Sequence, residues 1–116
     1  MTVISGGKCM KLWLDDVRPA PRGYEWIKTV NTAKRAIIET ENRNVCGLYD
    51  LNCSITLIDL DHDAGNYAQD GGDYIKLLDW LEETGRNYPI RIHSMNPVGV
   101  ENMRAIIHRN GWKEVL

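Results

Sequence analysis

No apolar stretch in the chain approaches the roughly 18 to 20 residues that cross a bilayer, and the N-terminus lacks the apolar core of a signal peptide. The cysteines are few and odd in number, and Cys9, Cys46 and Cys53 show no CxxC spacing. A disulfide framework or zinc knuckle is therefore not expected, and reduced thiols in the cytoplasm are the plain expectation. Neither sign of charge dominates: 14 lysines and arginines against 16 aspartates and glutamates leave a net charge of −2. Without a global basic field, phosphate attraction alone would not hold nucleic acid, and DNA-groove binding is not expected. Arg86, Arg91, Arg104 and Arg109, all in the C-terminal third, leave room for a local basic patch. Internal repeats and low-complexity tracts are absent as well.

What is present reads as one α/β domain. A length of 116 residues suffices for a single core and leaves no room for a second. Residues 1–9 (MTVISGGKC) read as a flexible leader, with the domain over 10–116. Lys11–Leu14 is a strand, followed by DDVRPAPRG, where Pro19, Pro21 and Gly23 forbid a regular helix. Glu25–Val30 is a second strand. Asn31 or Thr32 is placed to cap a helix that carries Ala33, Ala36 and Ile37 inward and ends near Asn44. Cys46–Leu51 is assigned an extra turn or strand. Ser54–Leu60 is almost continuously apolar, as a strand buried on both faces would be. A polar, glycine-rich loop over 62–72 leads to a helix over Asp73–Thr84, with Tyr74, Leu77, Leu78 and Leu81 at i, i+3, i+4 and i+7. Pro89–His93 is a fourth strand, SMNPVG a turn, and Val100–Arg109 a helix stopped by Asn110-Gly111. Trp112–Leu116 is expected to add a last short strand.

Three of these strands end in reactive side chains: Asp15-Asp16, then Asp61-His62-Asp63, then His93-Ser94. In parallel α/β sheets ligands bind outside the carboxyl ends of the strands, so the three clusters are expected at one edge. The pair Asp15-Asp16 is either a solvated turn or a Mg²⁺ site of hard oxygens. Arg18, directly after it, can balance those carboxylates or hold a phosphate in bidentate fashion. Three carboxylates and an imidazole within Asp59–Asp63 point to a metal site, or to an acid–base pair in which a carboxylate orients His62. If the strand stays extended, Asp59, Asp61 and Asp63 share one side and His62 takes the other. After His93-Ser94, the Asn96-Pro97 step enforces a turn into a helix whose N-terminal amides attract anions. His62 and His93 on neighbouring strands would supply a general base and a general acid near neutral pH. His108, near a helix C-terminus, reads as structural.

The runs LWLDDVRPAP, LIDLDHDAG, GGDYIKLLDWLEE and IHSMNPVGVENM resemble the cyclic-phosphate-processing receiver domains from about Met10 to Leu116. The resemblance implies a three-layer, receiver- or flavodoxin-like parallel sheet in the order 2-1-3-4-5, from which this chain departs in that the proline-rich segment after strand one leaves the first helix reduced or missing. It also implies a phosphoesterase-like activity on the 2′,3′-cyclic phosphate of a nucleotide or RNA end. The catalytic groups would be His62, His93 and Asp61, with Arg18, Ser94 and Asn96 on the phosphate. A divalent ion, Mg²⁺ or Mn²⁺, would lie on Asp15, Asp16, Asp61 and Asp63. Ordinary receivers end strand three in one phospho-accepting aspartate, here Asp61 or, in another register, Asp59, and strand five in a lysine. Lys113 does not stand at such a strand end. The alternatives are a signalling module that binds Mg²⁺ and accepts a phosphoryl group, and a module that binds nucleotide or protein without catalysis.

Overall fold

The computed structural model describes residues 9–46 and 54–116. Most of the expected leader, and the turn or strand assigned beyond Cys46, lie outside them. The order of elements is β1 (Cys9–Leu14), β2 (Tyr24–Ile27), α1 (Val30–Cys46), β3 (Ser54–Leu60), a 3₁₀ turn (Gly65–Gln69), α2 (Ile75–Glu83), β4 (Ile90–Ile92) and α3 (Pro97–Asn110). All strand pairs are parallel, in the order β2-β1-β3-β4. None of the helices described is long and apolar enough to cross a membrane.

Two boundaries move for capping reasons. β2 stops at Ile27, because Thr29 Oγ1 accepts the amide of Thr32 at 3.0 Å and so caps α1 in place of Asn31 or Thr32. The expected turn at SMNPVG is instead the start of α3. Asn96 is extended and accepts the Gly99 amide through its side chain, and Pro97 takes the first helical position, where its missing N–H costs nothing.

The core explains the apolar spacing. Leu12 and Leu14 of β1, Ile58 and Leu60 of β3 and Ile90 of β4 meet Ala33 and Ile37 of α1, Leu77, Leu78 and Leu81 of α2, and Met103, Ile106 and Ile107 of α3 in one cluster. In β3 the pairing with β1 shifts between Met10 and Lys11, which leaves Thr56 as an extra residue. That bulge lets Ile55 and Ile58 face the same side although they are three residues apart.

Two expectations about layering are corrected. The fifth strand is a single parallel bridge from Glu114 to Ile90, so among the described residues the sheet has four strands. The described residues also form two layers rather than three. Right-handed crossovers from β2 to β3, from β3 to β4 and onward from β4 all run in one direction across the sheet, which puts α1, α2 and α3 on one face. Packing of α2 against both other helices agrees. Only the step from β1 to β2 runs the other way, and there the proline-rich segment forms no helix. Trp13 and Leu57, buried but outside the core cluster, line this opposite face. The loop over 15–23 partly covers it, held by hydrogen bonds from Trp13 Nε1 to the Arg18 carbonyl (2.9 Å) and from Trp26 Nε1 to the Asp15 carbonyl (2.8 Å).

Candidate functional site

In the strand register Leu14 lies beside Leu60, and Leu60 beside Ile92. The next residues, Asp15, Asp61 and His93, therefore emerge level at the carboxyl edge. Hydrogen bonds from the Asp61 amide to the Leu14 carbonyl (2.9 Å) and from the His93 amide to the Leu60 carbonyl (3.0 Å) extend the ladder by that one residue.

Carboxylate oxygens of Asp15, Asp16 and Asp61 lie within 4.8 Å of one another, so the three could hold a metal ion. Their hard oxygens suit Mg²⁺ or Mn²⁺, which keep several waters. Asp16 has no hydrogen-bond partner among the described residues, and Asp61 accepts only the His62 amide, at 2.7 Å, so both keep lone pairs for a cation. The negative field of all three, after burial, helps raise the pKa of the enclosed Tyr74 hydroxyl, which donates to the Lys28 carbonyl. Asp63, also expected among the ligands, stands outside this triad and is engaged with His62.

Of the two strand-three aspartates, Asp61 joins the acidic triad. Asp59 is wholly buried on the loop-covered face, where it accepts from Arg91 Nη1 (3.0 Å) and meets His93 Nδ1 (2.7 Å). The other His93 nitrogen, Nε2, lies 2.9 Å from Asp15 Oδ2. Its ring stacks on Trp13 at 3.7 Å between centroids with the planes 4° apart. His93 is thus gripped on both nitrogens and one face. Asp15 is equally committed, since its Oδ1 accepts the amides of Val17 (2.9 Å) and Arg18 (2.8 Å). Burial works to raise the Asp15 carboxyl, but those two amides and His93 outweigh it, and its pKa lies below the ordinary value.

His62 is placed differently. Its Nδ1 lies 2.7 Å from Asp63 Oδ1 and 3.5 Å from Asn96 Nδ2, and Nε2 has no partner among the described residues. A carboxylate on Nδ1 favours the tautomer with a basic Nε2. The ring rests on Gly99 in the first turn of α3, where a Cβ would come within 2.5 Å of His62 Cγ. Gly65, at φ +57°, has the same relation to Asp16: a Cβ there would collide with Asp16 Oδ2. A cleft of about 250 Å³ is lined by Arg18, Asp61, Asp63, Ser94, Met95 and Asn96, the last of which approaches the His62 ring. Arg18 reaches across to the His93 carbonyl (3.3 Å) and pairs with no carboxylate among the described residues. Ser94 Oγ accepts the Asn96 amide at 3.1 Å.

The carboxyl edge therefore carries Asp15, Asp16 and Arg18, Asp61, His62 and Asp63, and His93, Ser94 and Asn96, with Asp61 shared by the triad and the cleft. Sequence reasoning missed Asp59 as the partner of His93, Trp13 as its stacking surface, and Gly65 and Gly99 as the residues that admit close packing. The spacing of Trp13, Asp15, Asp59 and Asp61 on alternating positions was the available signal for the first two. The four arginines that left room for a local basic patch are engaged in ion pairs: Arg86 with Glu41, Arg91 with Asp59, Arg104 with Glu114 and Arg109 with Glu82. Lys113 lies beside Ile90, the first residue of β4, at the opposite end of that strand from His93.

Comparison with curated proteins and with solved structures finds no match. The family model of the cyclic-phosphate processing receiver domain matches residues 10–109, from β1 to the end of α3, with every residue of the site inside that span. The chain belongs to the family of cyclic-phosphate processing receiver domains.

Proposed function

We propose that this domain opens a 2′,3′-cyclic phosphate at the end of an RNA or nucleotide by hydrolysis. The observation that carries the reading is one sheet edge that holds an oriented imidazole, a guanidinium with no carboxylate partner among the described residues, and an acidic triad that could hold a metal, with Asp61 shared between the triad and the cleft. Arg18, with Ser94 and Asn96, binds the phosphate oxygens and turns the ring phosphorus toward His62. His62 Nε2 takes a proton from the attacking water while Asp63 stabilises the imidazolium that forms. A new P–O bond to that water forms as the bond to one ribose oxygen breaks. The ribose oxygen receives a proton from the imidazolium, and the product is a phosphate monoester with a free neighbouring hydroxyl. Asp15, Asp16 and Asp61 would hold a divalent ion, whose chemistry there would be neutralisation of charge at the phosphate.

The second histidine has another part than the paired acid–base scheme gives it. With both nitrogens on carboxylates, His93 offers no free lone pair or proton to a substrate. In this reading it is a positioning residue that holds Asp15 at the level of Asp61. The test is turnover of a cyclic mononucleotide with and without Mg²⁺ or Mn²⁺. His62→Ala and Asp61→Asn should each reduce it at least a hundredfold, an amount within the range of general acid–base catalysis, about 10² to 10⁴. Full turnover by His62→Ala would overturn the scheme. A second reading, phosphoryl acceptance by Asp61, draws on the receiver-like triad. A stable mass shift with acetyl phosphate, lost in Asp61→Ala, would favour it.

A further inference from the structure

Two large aromatic side chains stand exposed beside the acidic triad and outside the core cluster: Trp26, 39% exposed, and Tyr67, 37% exposed. Between them lies Lys28, whose Nζ is 4.5 Å from the Trp26 ring centroid and 5.8 Å from that of Tyr67. The three come from two separate segments, the end of β2 and the 3₁₀ turn after β3. The Trp26 ring is tied to the site directly, and Tyr67 through the segment that carries it. The Trp26 indole donates to the Asp15 carbonyl. Tyr67 follows two residues after Gly65, the glycine pressed against the Asp16 carboxylate, and its amide is held by the Ala64 carbonyl at 2.9 Å. Neither ring adds to the apolar core, so burial does not account for their placement. Part-exposed rings with an ammonium between them match what a single-stranded nucleotide presents, a base to be stacked and a phosphate to be neutralised.

We infer that Trp26, Lys28 and Tyr67 form a subsite for single-stranded RNA, in which a nucleobase stacks on the rings and the Lys28 ammonium holds the adjoining phosphate. The inference rests on the proposed reading of the cleft as the place of a phosphate end, and deepens it. A strand stacked here is registered on the backbone of Asp15 and on the segment that carries Gly65, so its terminal phosphate is presented to the triad and His62. Recognition by stacking accepts any base, as a processor of RNA ends requires. It also supplies affinity that the net charge of −2 does not.

The experiment measures fluorescence anisotropy of a labelled single-stranded hexauridylate with a plain 3′-hydroxyl, at fixed low salt, against the full chain. Tyr67→Ala and Trp26→Ala should each weaken binding about five- to a hundredfold, the range for loss of one stacked base. Trp26→Phe, which keeps a ring face, should retain most of the affinity, and Lys28→Gln should flatten the salt dependence. Inorganic polyphosphate of matched charge should bind Tyr67→Ala and wild type alike. Unchanged RNA affinity in both ring-deleted variants, or no saturable binding by wild type, would overturn the subsite. So would an equal loss for polyphosphate. Cyclic-mononucleotide turnover is scored separately on wild type. Ring-dependent RNA binding without turnover would sink the hydrolytic reading and leave the subsite, and turnover without ring dependence would do the reverse.

Discussion

Replacing Gly99 by alanine should separate stability from catalysis. The new Cβ would lie 2.5 Å from His62 Cγ, 2.6 Å from Cδ2 and 3.0 Å from Cβ, whereas carbon atoms rest at about 3.5 to 4.0 Å. The imidazole must therefore withdraw by roughly 1 Å, because α3 is held against the sheet by Met103, Ile106 and Ile107 and yields less readily than a side chain. Overpacking of this kind costs about 1–3 kcal/mol, and removal of a helical glycine returns about 0.5–1 kcal/mol. The net loss of stability should be about 1 kcal/mol, small enough to leave the domain folded. A displacement of that size at a reacting group costs about a hundredfold in rate, so turnover should collapse while urea unfolding changes little. A double-mutant cycle tests the cause without any activity assay. In a His62→Ala background the clash disappears, and Gly99→Ala should become neutral or stabilising, giving a coupling of about 1–3 kcal/mol. Equal costs of Gly99→Ala in both backgrounds would refute the packing argument.

Millimolar Mg²⁺ or Mn²⁺ should raise the melting temperature, since a cation relieves the repulsion among Asp15, Asp16 and Asp61. At ten times Kd the gain is about 1.4 kcal/mol, and Asp61→Asn should reduce it; a wild-type curve unmoved by either ion would count against a metal site. Asp59→Ala should cost about 3–5 kcal/mol in urea unfolding, because it strands the buried His93 Nδ1. Asp59→Asn, which keeps an acceptor there and releases the 42% exposed Arg91 to solvent, should cost roughly 1–2 kcal/mol; equal losses would mean that charge alone matters. The Asp15 carboxyl lies below its ordinary pKa in the folded protein. Its stabilisation is complete above the unfolded value of about 3.9 and disappears as pH falls through the lower folded value. Unfolding free energy should fall on acidification below about pH 4, less steeply in Asp15→Asn. Glu82, held down to about 2 first by Arg109 and then by Asn110, should add to the same slope between about pH 4.5 and 2, and Glu82→Gln should remove its share.

Local pattern was enough for the elements and for the edge of the site. The period of Tyr74, Leu77, Leu78 and Leu81 fixes one helical face, and all four are fully buried. The strand over Ser54–Leu60 was legible to the residue because β-branched and apolar side chains run from Ile55 to Leu60 with Asp59 as the one interruption. Strand ends carrying Asp15, Asp61 and His93 could be placed together because parallel crossovers have one hand. Capping was less legible. Thr29, Asn31 and Thr32 are all competent caps, and only the backbone path after β2 selects Thr29.

Tertiary structure decided the rest, since each remaining question turned on two residues distant in sequence. Nothing near His93 shows that Asp59 and Asp15, 34 and 78 residues away, meet both of its nitrogens. Gly99 looks like an ordinary helix-start glycine until His62 is laid against it. The arginines of the C-terminal third form a basic patch only while their partners Glu41 and Asp59 remain out of sight. A sequence determines which side chains reach the carboxyl edge through short-range periodicity. Which of them stay free for chemistry depends on hydrogen bonds and close contacts that form only when the strands and helices pack.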